Sequence, residues 1–207
     1  MIIAVDGPAA SGKGTIARAI ARHYGLPHLD TGLLYRAVAM NLLRWGGDPE
    51  SEFSALRACD FSQTDFSDPD LKSESVGGIA SRISAYPAVR HALVERQRQF
   101  AEQPGGAVLD GRDIGTVIAP DANAKLFVTA TAQVRARRRF DELRRMDLDV
   151  HLPDVLADIE ARDERDRTRA AAPLKPAEDA HLLDTSGMGI EAAIAEAIAA
   201  VGRRVSA

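Results

Sequence analysis

The nine residues Gly7-Pro8-Ala9-Ala10-Ser11-Gly12-Lys13-Gly14-Thr15 constrain this chain more than any other stretch. They follow the apolar run Ile2 to Asp6 and open a segment, Gly14 to Tyr24, with Ile16, Ala19, Ile20 and His23 at helical spacing and Gly25 as its stop. Strand, glycine-rich loop and helix in that order make a phosphate cradle. The glycines let backbone amides point inward, the helix contributes its positive N-terminal end, and Lys13 reaches the β and γ phosphates. A Gly-x4-Gly-Lys string also turns up by chance; the strand before it and the helix after it argue against chance here. All nine residues are therefore candidates for binding ATP. Position 14 is Gly where the general motif carries Ser or Thr, so the hydroxyl that contacts magnesium is missing from its usual place. Thr15, one residue on, is the alternative hydroxyl.

The rest of the chain alternates short apolar strands with longer amphipathic helices, the pattern of a parallel sheet covered by helices on both faces. Strands are expected at Ile2 to Asp6, Leu26 to Asp30, Ala107 to Asp110, Lys125 to Ala130 and His181 to Asp184. Helices are expected from a cap at Thr31 to about Trp45, where Gly46-Gly47 breaks the pattern, and from Pro87 to about Gln103. Further helices follow at Ala132 to Arg145, Pro153 to about Thr168, and from Ile190 onward. Between Ser51 and Ala85 the pattern weakens to two helical stretches around a polar loop near Asp65 to Asp70. The expected fold is α/β: a P-loop-type three-layer sandwich on a five-stranded parallel sheet, in one domain spanning 1–207. Two excursions interrupt it, an acceptor-binding insert at about 51–103 and a helical lid at about 147–172.

Three further clusters carry chemistry. Asp110-Gly111-Arg112-Asp113 ends the third strand; an aspartate there can join a magnesium shell, and an arginine two residues on projects into the same crevice. Asp-Gly is also a common turn pair, so a plain surface turn is the competing reading. Asp30-Thr31-Gly32-Leu33-Leu34-Tyr35-Arg36 places a hydroxyl and an arginine at a helix start, which suits a second phosphate, though Thr31 could be only a cap. Arg162-Asp163-Glu164-Arg165-Asp166-Arg167-Thr168-Arg169 alternates signs along a helix end. By charge pattern it is a solvated face with i,i+4 pairs such as Arg162 with Asp166. By position, between two strands of a P-loop fold, it is a lid that delivers arginines to the transferring group. Arg138 and Arg139 on the preceding helix either join these arginines at the transferring group or are surface residues.

Composition sharpens this. The formal charge is −4, which argues against nucleic acid as a partner. Of 26 basic residues, 22 are arginine, and ten of those lie between Arg135 and Arg169. Arginine's planar fork matches phosphate oxygens, so the clustering points to a phosphate-handling surface in an otherwise acidic chain. The longest apolar runs fall well short of the roughly 20 residues a membrane helix needs. The N-terminal residues carry no basic n-region or cleavage site, so a cytoplasmic protein is expected. The lone cysteine, Cys59, has no catalytic partner nearby in sequence and is expected to be inert.

Gly-Lys-Gly-Thr is common in nucleoside monophosphate kinases, and the chain resembles one family of them closely, the bacterial cytidylate kinases. The resemblance runs through Gly7 to Thr15, Leu29-Asp30-Thr31-Gly32 with Tyr35-Arg36, Ala85-Tyr86-Pro87-Ala88-Val89-Arg90, Asp110 to Thr116, and Arg162 through Pro173-Leu174. It implies that Thr31, Arg36, Arg112 and Arg169 meet the acceptor phosphate, that Ser81, Arg90 and Asp113 read cytosine, and that Arg162 and Asp166 hold the ribose. Cytosine exposes an amino donor beside a ring nitrogen and a carbonyl acceptor, which one carboxylate, one arginine and one hydroxyl satisfy. Two departures stand out: Thr31 occupies a position where Ser is common, and the stretch Asp60 to Glu74 is shorter than the family's β-rich acceptor lobe.

The resemblance thus implies an ATP-dependent kinase converting CMP and dCMP to their diphosphates. Lys13, Arg112, Arg162 and Arg169 are the expected catalytic cations, and magnesium is expected near Thr15 and Asp110. Two rivals remain. Another kinase of this fold could take AMP, UMP or a nonnucleotide acceptor, against which the Asp113, Arg90 and Ser81 set discriminates. A nucleotide-dependent switch is the other, although the Asn-Lys-x-Asp string of GTPases is absent. No long heptad or exposed apolar strip is evident, so a monomer is expected.

Overall fold

The computed structural model describes residues 1–60, 66 and 68–206. Residues 65 and 67 of the polar loop expected near Asp65 to Asp70, and 61–64 of the shortened stretch before it, lie outside the described residues. The chain forms two compact units, Met1–Leu29 with Ala101–Ala207, and Asp30–Phe100.

The first unit is built on a five-stranded sheet of β1 (Ile2–Asp6), β2 (His28–Asp30), β3 (Ala107–Gly111), β4 (Ala124–Thr129) and β5 (His181–Asp184), in the order β2-β3-β1-β4-β5. β1 pairs in parallel with both β3 and β4, and β4 with β5. β1 is therefore central, and it and β3 are buried throughout except at Ile2, as continuous apolar runs in parallel sheets require. The register sets Asp6 opposite Gly111, so the glycine loop after β1 and the Asp110 to Asp113 segment leave the sheet side by side. That is the crevice at the carboxyl ends of the strands where α/β folds bind ligands. The helices of this unit are α1 (Lys13–Tyr24), α6 (Ala132–Arg145), α7 (Leu152–Thr168) and α8 (Ile190–Val205). Ile16 and Ile20 of α1 and Ala193, Ala197 and Val201 of α8 pack on Ile3, Val5, Leu126 and Val128. α6 and α7 share a smaller core of Ala136, Leu143, Val155 and Ile159.

The second unit is helical: α2 (Thr31–Trp45), α3 (Glu52–Arg57), a short turn at Pro69–Lys72, α4 (Glu74–Ile83) and α5 (Pro87–Ala101), whose last residue adjoins the first unit. α2 is capped by Asp30, which accepts from the Gly32 N–H at 2.9 Å, and not by the expected Thr31. An aspartate one residue earlier satisfies the same orphan amide, which makes Thr31 the first helical residue. Gly46 ends the helix in the left-handed conformation, as expected.

One element was not foreseen. Ile114–Ile118 is a wide helical turn with i→i+5 bonds, Ile118 N–H to Asp113 O at 3.2 Å and Ala119 N–H to Ile114 O at 2.7 Å. Among the described residues no helix is long and apolar enough to cross a membrane.

Candidate active site

The glycine loop takes the cradle conformation its sequence demands. Gly7 runs so close to β4 that a Cβ there would lie 2.0 Å from the Val128 carbonyl oxygen, and Gly12, at φ 89°, caps α1 with nothing on its side chain. Ala10 also sits at positive φ, 57°, where glycine would be easier. Lys13 begins α1 and its Nζ lies 3.2 Å from the Pro8 carbonyl, folded back over the loop. The Ser11 hydroxyl is buried with no hydrogen-bond partner among the described residues, as suits a loop shaped around an anion.

Asp110, at the end of β3, is buried and within 2.6 Å of His28 Nε2 on β2. A Cβ on Gly14 would stand 3.6 Å from Asp110 Oδ2, so this carboxylate faces the start of α1 where the general motif carries its hydroxyl. A single hard carboxylate beside a phosphate cradle fits Mg²⁺, which keeps much of its water and takes ligands from the phosphates. No group of three or more metal-ligating side chains occurs among the described residues. Thr15, the other expected ligand, is exposed, and its hydroxyl accepts from Arg18 at 3.3 Å.

Four of the expected acceptor-site residues form one buried network. Asp166 accepts from Arg112 Nε at 3.0 Å and lies 4.0 Å from Arg169 Nη1, while Arg169 Nη2 is 3.7 Å from Asp113. Asp113, Asp166 and Arg169 are each less than a tenth exposed. Burial alone would raise the Asp166 carboxyl; the charges of Arg112, Arg162 and Arg169 outweigh it and hold the group below the usual carboxylate range. The solvated-face reading of α7 therefore fails at Asp166 and survives at the exposed Arg167 and Glu164 pair. Arg169 is tied in place by its Nε, which donates to Ala172 O at 2.7 Å.

Of the other five, Arg162 lies on α7, close enough for its charge to act on Asp166, and Thr31, Arg36, Ser81 and Arg90 lie in the helical unit. Thr31, Ser81 and Arg90 are buried there. Arg90 donates to Ser84 O at 3.1 Å and stacks 5.7 Å from the Tyr35 ring, and the Ser81 carbonyl accepts from the Ser84 hydroxyl. Arg36 donates to Leu71 O at 2.6 Å and Ser73 O at 3.1 Å, against Gly77, where a Cβ would come within 2.7 Å of the guanidinium.

Sequence reasoning missed several residues. Thr185, after β5, is buried and its hydroxyl donates to Ser11 O. Arg138 donates to the Thr185 hydroxyl at 3.0 Å, to its carbonyl at 2.7 Å and to Ser11 O at 3.3 Å, so it is held against the glycine loop. Arg139 pairs with Glu142 at 2.7 Å. Beside these lies a cavity of about 420 Å³ lined by Ser11, Gly12, Arg138, Thr185, Met188 and Ile190. Arg135, nearly buried, donates to Asp163 on α7, to Ala130 O and to Ala9 O at 3.2 Å, joining α7 to the glycine loop. Arg138 was already a candidate in the sequence, and only the arginine clustering hinted at Arg135. Cys59 is buried and burial pushes its thiol up to about 11, which suits the inert role expected of it.

Asp6 was read only as a strand end. It is 4% exposed, and burial pushes its carboxyl up from 3.8 to about 7; Asp113 adds to the rise, while two backbone N–H groups and Lys13 oppose it. The folded protein thus holds a proton there that the unfolded chain releases. Stability from this group is present below 3.8 and is lost as pH rises through about 7. The stability of the wild type relative to Asp6→Asn, which does not titrate, is expected to decline across that window in urea titrations. A difference independent of pH would contradict the assignment.

Comparison with known proteins agrees in family and fold. The family model described as cytidylate kinase matches residues 3–203. The chain is 56% identical to the cytidylate kinase of Methylocella silvestris over 97% of its length and 94% of the relative's. It is 57% identical to that of Rhodopseudomonas palustris over 96% and 94%. Among solved structures, an uncharacterized protein from Eubacterium ventriosum superposes with a TM-score of 0.57 at 14% identity, covering 99% of both chains; this likeness concerns the fold alone.

Proposed function

The chain belongs to the cytidylate kinase family, and on that premise we propose how its residues carry out the reaction. It is a nucleoside monophosphate kinase that phosphorylates CMP with ATP, yielding CDP and ADP. We extend the acceptor to dCMP. The observation that carries the residue assignment is the buried network of Arg112, Asp113, Asp166 and Arg169 beside the glycine loop.

Phosphoryl transfer needs little covalent help, so the protein's work is alignment, exclusion of water and neutralisation of charge. Two unit charges 4 Å apart repel by about 4 kcal/mol at an effective dielectric of 20, and ATP and CMP bring several such charges together. Residues 7–15 cradle the ATP phosphates, with Lys13 on the β and γ groups. The cavity lined by Arg138, Thr185 and Ile190 takes the rest of the donor, since it opens directly from Ser11 and Gly12. Arg112 and Arg169, with Thr31 and Arg36, bind the acceptor phosphate. Arg162 steadies the transferring group and the ribose. Asp113, Arg90 and Ser81 read the base. Asp110, with Thr15 assisting, would hold Mg²⁺ through its water shell, and the metal supplies charge neutralisation at the phosphates when bound.

Asp166 is assigned to the sugar, and its ion pairs also fix Arg112 and Arg169. Charge-assisted hydrogen bonds contribute on the order of 1.5 to 3 kcal/mol. Asp166→Ala is therefore expected to raise the KM for CMP and dCMP by at least about tenfold while changing that for ATP much less. Steady-state kinetics with each substrate varied in turn tests this, and a defect confined to ATP would move Asp166 to the donor side.

A further inference from the structure

Asp6 ends β1 one residue before the glycine loop, yet its side chain turns to the other loop of the crevice. Oδ1 accepts from the Ile114 N–H and Oδ2 from the Gly115 N–H, each at 2.8 Å. Those are the two residues that follow Asp113. The same turn grips Asp113 from its other side, because the Asp113 carbonyl accepts from Val117 at 2.9 Å and from Ile118 at 3.2 Å. Asp113 itself has φ −144° and ψ 23°, so neither helix nor strand geometry sets the direction of its side chain. Its carboxylate lies 3.7 Å from Arg169 Nη2, while its backbone is held by this turn, whose first amides rest on the Asp6 carboxyl.

We propose that Asp6 is a positioning residue for acceptor specificity: by clamping the amides of Ile114 and Gly115 it aims the Asp113 carboxylate at the acceptor base. This rests on the reading of Asp113 as the group that recognises cytosine. Two consecutive amides pointing one way need two acceptor oxygens on one rigid group, which a carboxyl group supplies and an amide side chain does not. Burying a carboxylate is costly, and the cost here is visible in the upward push on its proton affinity. Asp6 also lies within electrostatic reach of both Asp113 and Lys13. One side chain thus feels the charges of both the phosphate-loop lysine and the carboxylate assigned to the base.

The test compares kcat and KM for CMP, UMP and ATP among the wild type, Asp6→Asn, Gly115→Ala, Asp113→Ala and the Asp6→Asn/Asp113→Ala double variant. Asparagine keeps the shape of Asp6 but turns an N–H toward one of the two amides. Asp6→Asn is expected to raise the KM for CMP by about tenfold and to lower the CMP-over-UMP preference in kcat/KM by a similar factor, with the KM for ATP within about twofold. In the double variant the preference should be no lower than in Asp113→Ala alone. Gly115→Ala approaches the same contact from the other partner, since its Cβ would lie 3.4 Å from Asp6 Oδ2 and 3.2 Å from Lys125 Cδ. A smaller shift in the same direction is expected, and this variant decides the matter should Asp6→Asn not fold. If Asp113→Ala abolishes the preference while Asp6→Asn and Gly115→Ala leave it intact, or slow CMP and UMP equally, the proposal is overturned. If Asp113→Ala itself leaves the preference unchanged, the base-reading assignment fails first, and the role of Asp6 falls with it.

Discussion

Lys13→Ala is expected to lower kcat by about 10²- to 10³-fold or more, the range seen when one preorganised donor is removed from a charge-stabilising site. The circular dichroism spectrum and the thermal midpoint should stay at wild-type values. The separation follows from where Lys13 sits. It is the first residue of α1, is only partly buried, and bonds to the loop carbonyl of Pro8 and not into the core under the sheet. Alanine is the strongest helix former, so the start of α1 loses nothing in propensity. What would disappear is the cation assigned to the β and γ phosphates, in a reaction whose catalysis is almost entirely positioning and electrostatics. A folded variant turning over at nearly the wild-type rate would contradict the assignment of the glycine loop to ATP.

The parts of this protein that were legible in its sequence are those that local physics decides. The glycine loop announced itself because Gly7 and Gly12 occupy positions that a side chain tolerates poorly. The bounds of α6 and β5 follow the expected ones because Thr131 caps the first and an apolar run sets the second. Leu26 and Pro27 looked like strand residues, but the strand begins only at His28, since Leu26 N–H bonds back to Ala21 O at the helix end. The capping of α2 slipped by one residue for a similar reason: Asp30 and Thr31 are both good caps, and sequence alone does not rank neighbours.

What was illegible depends on partners far apart in the chain. Asp6 meets Ile114 and Gly115 across more than 100 residues, and His28 meets Asp110 across 82. Nothing in the run Ile2 to Asp6 reports those contacts. The charge alternation on α7 allowed a solvated face or a functional one. Burial of Asp166 between Arg112 and Arg169 selects the second at that residue, a choice only tertiary packing makes. The wide turn at Ile114–Ile118 has no counterpart in the sequence pattern, because its first two amides are satisfied by a buried carboxyl from the distant Asp6 instead of by water.

The base preference follows from the chemistry assigned to Asp113, Arg90 and Ser81. All three are buried, so an acceptor that fails to pair with them leaves a polar group unsatisfied at a cost of roughly 1 to 3 kcal/mol, more when the group is charged. Cytosine offers Asp113 its exocyclic amine and offers Arg90 and Ser81 its acceptor edge. On this assignment uracil presents a carbonyl where the amine should be and faces a carboxylate with another acceptor, and adenine, with its second ring, is expected to fit less well. Asp113→Ala is expected to narrow the gap between CMP and UMP chiefly by harming CMP, because it removes an attraction for one base and a repulsion for the other.

The measurement that tests the central claim most directly is ADP release from ATP and magnesium with CMP, dCMP, UMP and AMP offered separately to the same enzyme preparation. The two cytidine nucleotides should be fastest, with UMP slower by about tenfold to a hundredfold or more and AMP by at least about a hundredfold. Equal rates with all four would contradict the acceptor assignment, and ADP release with none of them would contradict the reading of this chain as a nucleoside monophosphate kinase.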